Sequence, residues 1–204
     1  MPRNLTDADV AHFRDRLIDV AEMRFAEHGP EAVTIRQLAA ALGVSPMTPY
    51  RYFKDKDAIL AAARARAFDR HAQALEEAYA RTRGDRVAQS NAIGAAYLRF
   101  ALEHPAAYKL MFDLHQECAS DYPDLVRASE RSRATMTAHL RDLGAAGLFA
   151  GDPDLVGHMY WAALHGPIML QLSGMLGPDL DARTLIAGIT DALGRAVFGK
   201  PERA

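Results

Sequence analysis

Cysteine is nearly absent from this 204-residue chain: there is one, Cys118. A single thiol closes no internal disulfide, and cysteine alone builds no metal framework. Tryptophan also occurs once, at Trp161. β-Branched residues are sparse beside Ala, Leu and Arg, and no strand-like alternation, repeat or low-complexity tract is present. That composition favours helices. An excess of either charge is missing too. The 24 Lys and Arg against 26 Asp and Glu leave a net charge of -2, so bulk charge argues for no nucleic-acid partner. The opening residues MPRNLTDADV have no apolar core and read as no secretory signal.

Charge is also missing locally. From Leu155 to Pro178 there is no Asp, Glu, Lys or Arg. A long uncharged run is a candidate for crossing a membrane. This one contains His158, His165, Pro167, Gln171 and four glycines, and Asp152, Asp154, Asp179 and Asp181 flank it without an adjacent basic anchor. The reading it supports is a buried helix, hydrophobic nearly all round, and no membrane partner. Pro167 removes the bond to the Ala163 carbonyl, which predicts a kink or an end of that helix.

What is present is helical punctuation. Thr6 with Asp9 resembles a capping box, followed by Val10, Phe13, Leu17, Ala21 and Phe25 at helical spacing and a stop at Gly29-Pro30. Thr34 caps a short helix carrying Ile35, Leu38 and Leu42, which ends at Gly43. Asp55 and Asp85 open the next two long helices, and His104-Pro105 and Tyr122-Pro123 open two more. Asp152 with Pro153 opens the uncharged helix, and Asp181 the last, which stops at Gly199. With a helix from Ser45 to Phe53 this predicts an all-α chain of about nine helices.

The stretch GVSPMTPYRYFKDKDAIL, residues 43–60, carries the sharpest signal. Two short helices joined by Gly43-Val44 have helix-turn-helix spacing. Ser45 suits the cap of the second, and Pro46 its first position. Pro49 does not fit so simply. Its missing N–H removes the bond to the Ser45 carbonyl, or else Thr48 is the effective cap, held away from helical angles by the proline. Either way the first turn is distorted. Between Ala32 and Lys54 there is no acid, while Arg36, Arg51 and Lys54 are present and Tyr50 and Tyr52 flank Arg51. An acid-free patch beside helix N-termini suits phosphates. The plainer reading makes Tyr50 and Tyr52 core aromatics and the arginines solvated.

The run Phe25, Gly29, Val33-Thr34-Ile35, Leu38-Ala39, Leu42-Gly43-Val44-Ser45, then Thr48-Pro49-Tyr50-Arg51-Tyr52-Phe53-Lys54-Asp55-Lys56 resembles the DNA-binding domain of TetR-family repressors over about residues 8–60. Pro49 departs from that pattern, where an aliphatic residue is usual. Tyr97, Phe100-Ala101, His104-Pro105, Tyr108, Met111-Phe112 and later Trp161, His165-Gly166 resemble one C-terminal subgroup of the family. The resemblance implies a DNA-binding domain at 1–54 and a ligand-binding and dimerisation domain at 55–204. It implies a cytoplasmic homodimer that binds a palindromic double-stranded operator, is released by a small-molecule effector, and is no enzyme. It implies Arg36, Met47, Thr48 and Arg51 as base readers or groove-lining residues, and Thr34, Ser45, Tyr50, Tyr52 and Lys56 as phosphate holders. Pro46 offers van der Waals contact only.

In the C-terminal half, His158, Trp161 and His165 lie near one helix face. A metal site needs a third ligand, with His104, His115 and His139 available but not fixed nearby, and a catalytic His has no activating partner, since Cys118 carries no such motif. The reading is therefore no metal and no cofactor. Tyr97, Phe100, Tyr108, Met111, Phe112, His158, Trp161 and His165 either line an apolar pocket or fill the core. Gly157, Ala162, Ala163 and Gly166, with Ile189 and Leu193, either form a four-helix dimer seam or serve close packing within one chain. A different class of function stays open beside this: a helical small-molecule-binding or enzymatic domain whose helix-turn-helix is vestigial.

Overall fold

The computed structural model describes residues 6–82, 84–112 and 119–199. Among them are eight α-helices, two short 3-10 helices and no strand. The α-helices are α1 (Asp7–His28), α2 (Ile35–Ala41), α3 (Lys56–Arg81), α4 (Arg86–Glu103), α5 (Pro105–Met111), α6 (Pro123–Ala145), α7 (Pro153–Leu172) and α8 (Ala182–Phe198). The 3-10 helices are Pro49–Arg51 and Ala119–Asp121.

Helix starts follow the capping chemistry. Thr6 and Asp9 close a reciprocal capping box, and Thr34 does the same with Gln37. Carboxylates of Asp55, Asp85, Asp152 and Asp181 accept from the backbone N–H groups of Ala58, Ala88, Asp154 and Thr184 at 2.7–2.9 Å. Each satisfies a donor that the first turn leaves without a helical partner. α1 stops at Gly29, whose φ of 78° lies in the left-handed region.

The helix expected from Ser45 to Phe53 does not form, and the physical reason is Pro49. Ser45 Oγ accepts from the Met47 N–H at 3.3 Å, and the Thr48 N–H bonds the Ser45 carbonyl at 2.9 Å. Pro49 then has no N–H to continue the α pattern. Arg51 N–H to Thr48 O and Tyr52 N–H to Pro49 O follow as three-residue bonds, which make a 3-10 turn. Thr48 itself sits at φ -63°, ψ -45°, helical angles that the following proline disfavours. The turn bonds on both sides hold it there, against the expected bias. Pro167 is the converse case. Of the two expected outcomes the helix end is ruled out, since α7 continues through Pro167 to Leu172.

The described residues form two compact units, one within Met1–Arg70 and Ala106–Glu130, the other within His71–Pro105 and Arg131–Ala204. In the first, Leu17, Ala21, Phe25, Leu38, Ile59 and Leu110 build a core at 0–2% exposure, which fixes α1, α2 and the start of α3. Arg66 bonds Asp19 at 2.6 Å, and Arg70 reaches Glu22 at 3.2 Å, so ion pairs flank that core between α1 and α3. In the second, α7 packs on α4 and α8, and Leu140, Leu143 and Val156 gather Phe149, Tyr160 and Val197 around them. No helix of the described residues is long and apolar enough to cross a membrane.

At Gly157, α7 packs tightly against Thr137 of α6. A Cβ built there would stand 2.8 Å from Thr137 Cγ2 and 3.3 Å from Thr137 Cα. Backbone cannot swing aside as a side-chain tip can. Gly157→Val is therefore expected to lower unfolding free energy by about 1–3 kcal/mol through overpacking. Urea denaturation measures it, and an unchanged midpoint would show that α6 and α7 separate freely.

Candidate nucleic-acid interface and the second unit

The candidate reading surface lies in the first unit and is built from α2, the turn at Gly43 and the 3-10 helix. Gly43 takes φ 68°, the left-handed angle that lets the chain reverse between the two elements. On α2, Ile35, Leu38 and Ala39 face the core, which leaves Arg36 on the exposed side. After the turn, Ser45, Pro46, Met47, Tyr50 and Arg51 are exposed, Met47 to 68%, and Thr48 is half-buried. An apolar side chain that exposed has no folding role, so Met47 is available for contact. Among the described residues the Arg36 and Arg51 side chains make no ion pair. The acid-free segment thus presents two uncommitted guanidinium groups and a methionine on one short stretch.

Not every expected phosphate holder is equally free. The Tyr52 ring stacks on Phe13 of α1, with centroids 4.4 Å apart and planes 27° apart. Its body is core, as the plainer reading had it, whereas Tyr50 stays exposed. Lys56 Nζ donates to the Pro30 carbonyl at 2.7 Å and closes the loop between α1 and α2. Lys54 is the exposed amine: it stands 5.1 Å from the centre of the Tyr122 ring and 3.7 Å from Asp55. Tyr122 first, then Asp55, hold its pKa above the usual lysine value. Thr34 Oγ1 is engaged in its capping box with Gln37.

Arg14 plays a part that periodicity did not reveal. Its Nη1 donates to the Tyr52 carbonyl at 2.6 Å, and its guanidinium lies 4.1 Å from the centre of the Phe53 ring. It clamps the end of the 3-10 turn to α1. A contact across 38 positions leaves no local pattern, so no sequence signal marked it.

The other expected residues divide between the units. Tyr108 and Met111 are buried in the first, where Tyr108 meets Phe112 at 5.0 Å and Arg64 donates to the Met111 carbonyl. In the second unit, Trp161 Nε1 donates to the Tyr97 hydroxyl at 3.0 Å, and the His158 ring lies 5.9 Å from Trp161. Tyr97 and Phe100 meet His71 edge-on at 4.9 and 5.1 Å. His71 is 1% exposed, its Nδ1 pairs with Ser132 Oγ at 2.8 Å, and its Nε2 has no partner. Burial pushes its pKa down to about 4. Its burial among aromatics emerges from α3, α4 and α6 together, and no local pattern announced it. His165 is half-buried, and burial lowers its pKa as well. His158 is exposed, and its Nδ1 donates to the Asp154 carbonyl one turn back.

Gly157 and Ala163 are buried within the chain, Gly157 against Thr137. Their smallness serves packing inside one protomer rather than a seam. Ala162, Gly166, Ile189 and Leu193 keep exposed or half-exposed positions. His104 is exposed, while His115 and Cys118 lie outside the described residues. Among the described residues no three His, Cys, Asp or Glu side chains gather in a metal-binding group.

Residues 17–63 match the family model of bacterial regulatory proteins of the tetR family, and residues 90–193 match the tetracyclin repressor-like C-terminal domain. This chain belongs to the TetR family. It is a DNA-binding transcription regulator with a helix-turn-helix reading domain. The regulator BetI of Brucella suis is 28% identical over 192 residues, which cover 92% of this chain and 93% of BetI. A Rhodococcus sp. RHA1 protein of unknown function superposes with a TM-score of 0.79 at 27% identity, over 97% of this chain and 99% of that one. The TetR-family regulator PfmR of Thermus thermophilus shares the fold, with a TM-score of 0.70 at 22% identity over 93% and 100% of the two chains. The 3-10 turn at Pro49–Arg51 lies inside the stretch that matches the helix-turn-helix family model.

Proposed function

We propose that this protein is a homodimeric cytoplasmic repressor, not an enzyme, that leaves a palindromic operator when a small apolar or aromatic effector binds. The observation that carries the reading is the exposed acid-free segment with unpaired Arg36 and Arg51 on a helix-turn-helix frame. In a vestigial domain nothing would keep acids out of such a stretch. Arg36, Met47, Thr48 and Arg51 read bases; Ser45 and Tyr50 hold phosphates, with Thr34, Tyr52 and Lys56 restrained by their contacts to lesser parts, and Pro46 gives surface contact. The DNA-binding domain is taken as residues 1–54 and the effector-binding and dimerisation domain as 55–204.

Support for the dimer comes from apolar exposure. Leu155, Met159 and Leu170 of α7 and Ile189 of α8 are 37–60% exposed, more apolar surface than two neighbouring helices of a monomer usually show. A second copy of the same helix pair is the matching occupant. Two-fold symmetry then requires half-sites whose centres lie about 10 base pairs apart or a multiple. Support for the effector site comes from Tyr97, Phe100, His71, His158, Trp161 and His165, an aromatic and imidazole set with one buried unpartnered nitrogen. An apolar ring with one hydrogen-bonding group suits it.

One experiment tests the reading. Binding to the DNA flanking the gene is followed by anisotropy while hydrophobic small molecules are titrated. Effective molecules are expected to weaken operator binding roughly 5- to 150-fold and to change Trp161 emission together with it. Effectors that leave Trp161 emission unchanged would move the pocket elsewhere. Absence of any saturable sequence-specific complex would remove the repressor reading itself. Sedimentation of Ala162→Arg and Ile189→Asp variants is expected to show monomers, because each puts a charge into an apolar contact.

A further inference from the structure

A cavity of the second unit lies where α4, α6, α7 and α8 come together. It has a volume of about 270 Å³ and shares no lining residue with the Tyr97–Trp161 cluster. Its apolar wall comes from Ile93, Leu98, Met136, Leu164 and Ile186. None of its fourteen lining residues is acidic, and one, Arg183, is cationic. Arg183 is exposed and makes no ion pair among the described residues.

Two further polar groups belong to the lining. His139 is 6% exposed, and its Nδ1 has no hydrogen-bond partner. Burial pushes its pKa down to about 4, against the Thr135 carbonyl and the Asp142 carboxylate, both of which line a neighbouring hollow that His139 also borders. Tyr160 is half-buried, and its hydroxyl makes no hydrogen bond among the described residues, so it is a donor open to water rather than a buried orphan. Buried polar groups normally have partners, because leaving one unpaired costs about 1–3 kcal/mol. The neighbouring hollow, of about 350 Å³, shares Ile93 and His139 but has its charges already matched: Arg131 bonds Glu76 at 2.5 Å, and Tyr79 bonds Asp142. Arg183 is the one cation of the larger apolar lining that makes no ion pair among the described residues; Asp181, two residues back, acts on it only through space.

We propose that this cavity is a second effector site, distinct from the aromatic cluster, that takes a small monocarboxylic acid with an apolar body. The carboxylate meets Arg183, the body lies on Ile93, Leu98 and Leu164, and the Tyr160 hydroxyl and His139 imidazole accept or donate the remaining hydrogen bonds. The volume equals that of about nine water molecules, so the acid has about ten non-hydrogen atoms. Phenylacetate is a probe of that size, and phenylacetamide is its uncharged counterpart.

Calorimetric titration of the full chain tests this. Wild type is expected to bind phenylacetate saturably, and phenylacetamide roughly tenfold more weakly. Arg183→Met changes an exposed side chain and is expected to remove that difference by weakening phenylacetate alone. Gly94→Leu fills the cavity from α4, where a Cβ meets nothing within 4 Å, so the fold tolerates it. It is expected to abolish binding of both probes while the melting temperature holds or rises. Equal affinity for the two probes would overturn the carboxylate assignment. Phenylacetate binding that survives Gly94→Leu, or no saturable binding to wild type, would overturn the site.

Discussion

Arg51→Ala is expected to weaken operator binding by about 1–3 kcal/mol, a fall of roughly 5- to 150-fold, with much less effect on unrelated DNA. Arg51 closes the 3-10 turn, is exposed, and spends none of its guanidinium donors on described residues. Its five N–H donors are thus free for a guanine edge, and alanine removes all of them while leaving the backbone bond to Thr48 intact. Stability should not change, since nothing in the core touches this side chain. That separates it from Arg14, whose loss would loosen the turn by freeing the Tyr52 carbonyl and baring Phe53. Anisotropy on operator and on scrambled DNA, beside thermal melting, distinguishes the two. Wild-type affinity in Arg51→Ala would mean that another element reads the bases.

Acidification is expected to destabilise the second unit steeply between about pH 6.5 and pH 4. His71 and His139 both have folded pKa values of about 4, against an ordinary value of 6.5. The unfolded chain therefore takes up protons first as pH falls. Their neutral forms contribute stability that is complete above the unfolded pKa and is lost as pH falls toward the folded one. The loss approaches on the order of 3 kcal/mol for each at the bottom of the window. Hydrogen bonds to Thr6 and Thr184 hold the capping carboxylates of Asp9 and Asp181 below the usual carboxylate range, so they act at still lower pH. Urea midpoints measured from pH 7 to pH 4.5 check this. His71→Phe, which keeps the aromatic contacts with Tyr97 and Phe100, should flatten the profile by about one proton. A midpoint independent of pH over that range would mean that both rings stay solvated.

The places where helices begin were legible in the chain itself. Thr6, Thr34, Asp55, Asp85, Asp152 and Asp181 act on backbone groups two or three residues away, so local sequence holds all the information their geometry needs. The apolar period of α1 and the acid-free stretch before Lys54 were equally local, and together they carried the all-helical class and the reading segment. Pro49 shows the limit. A missing N–H announces a distorted turn, but whether Thr48 yields or holds depends on its backbone bonds to Ser45 and Arg51, which form only in the folded chain.

What only the tertiary structure decided is which side chains are already used. Lys56 and Tyr52 looked like free phosphate holders until Pro30 and Phe13 came beside them from distant positions. Gly157 and Ala162 are alike on a helical projection, yet one is pressed against Thr137 and the other faces outward. His139 read only as a spare metal ligand, and its unpaired nitrogen, like that of His71, exists only because three or four helices exclude water from it. Burial and partnership are sums over elements far apart in the chain, and a single helical period carries no record of what lies across from it.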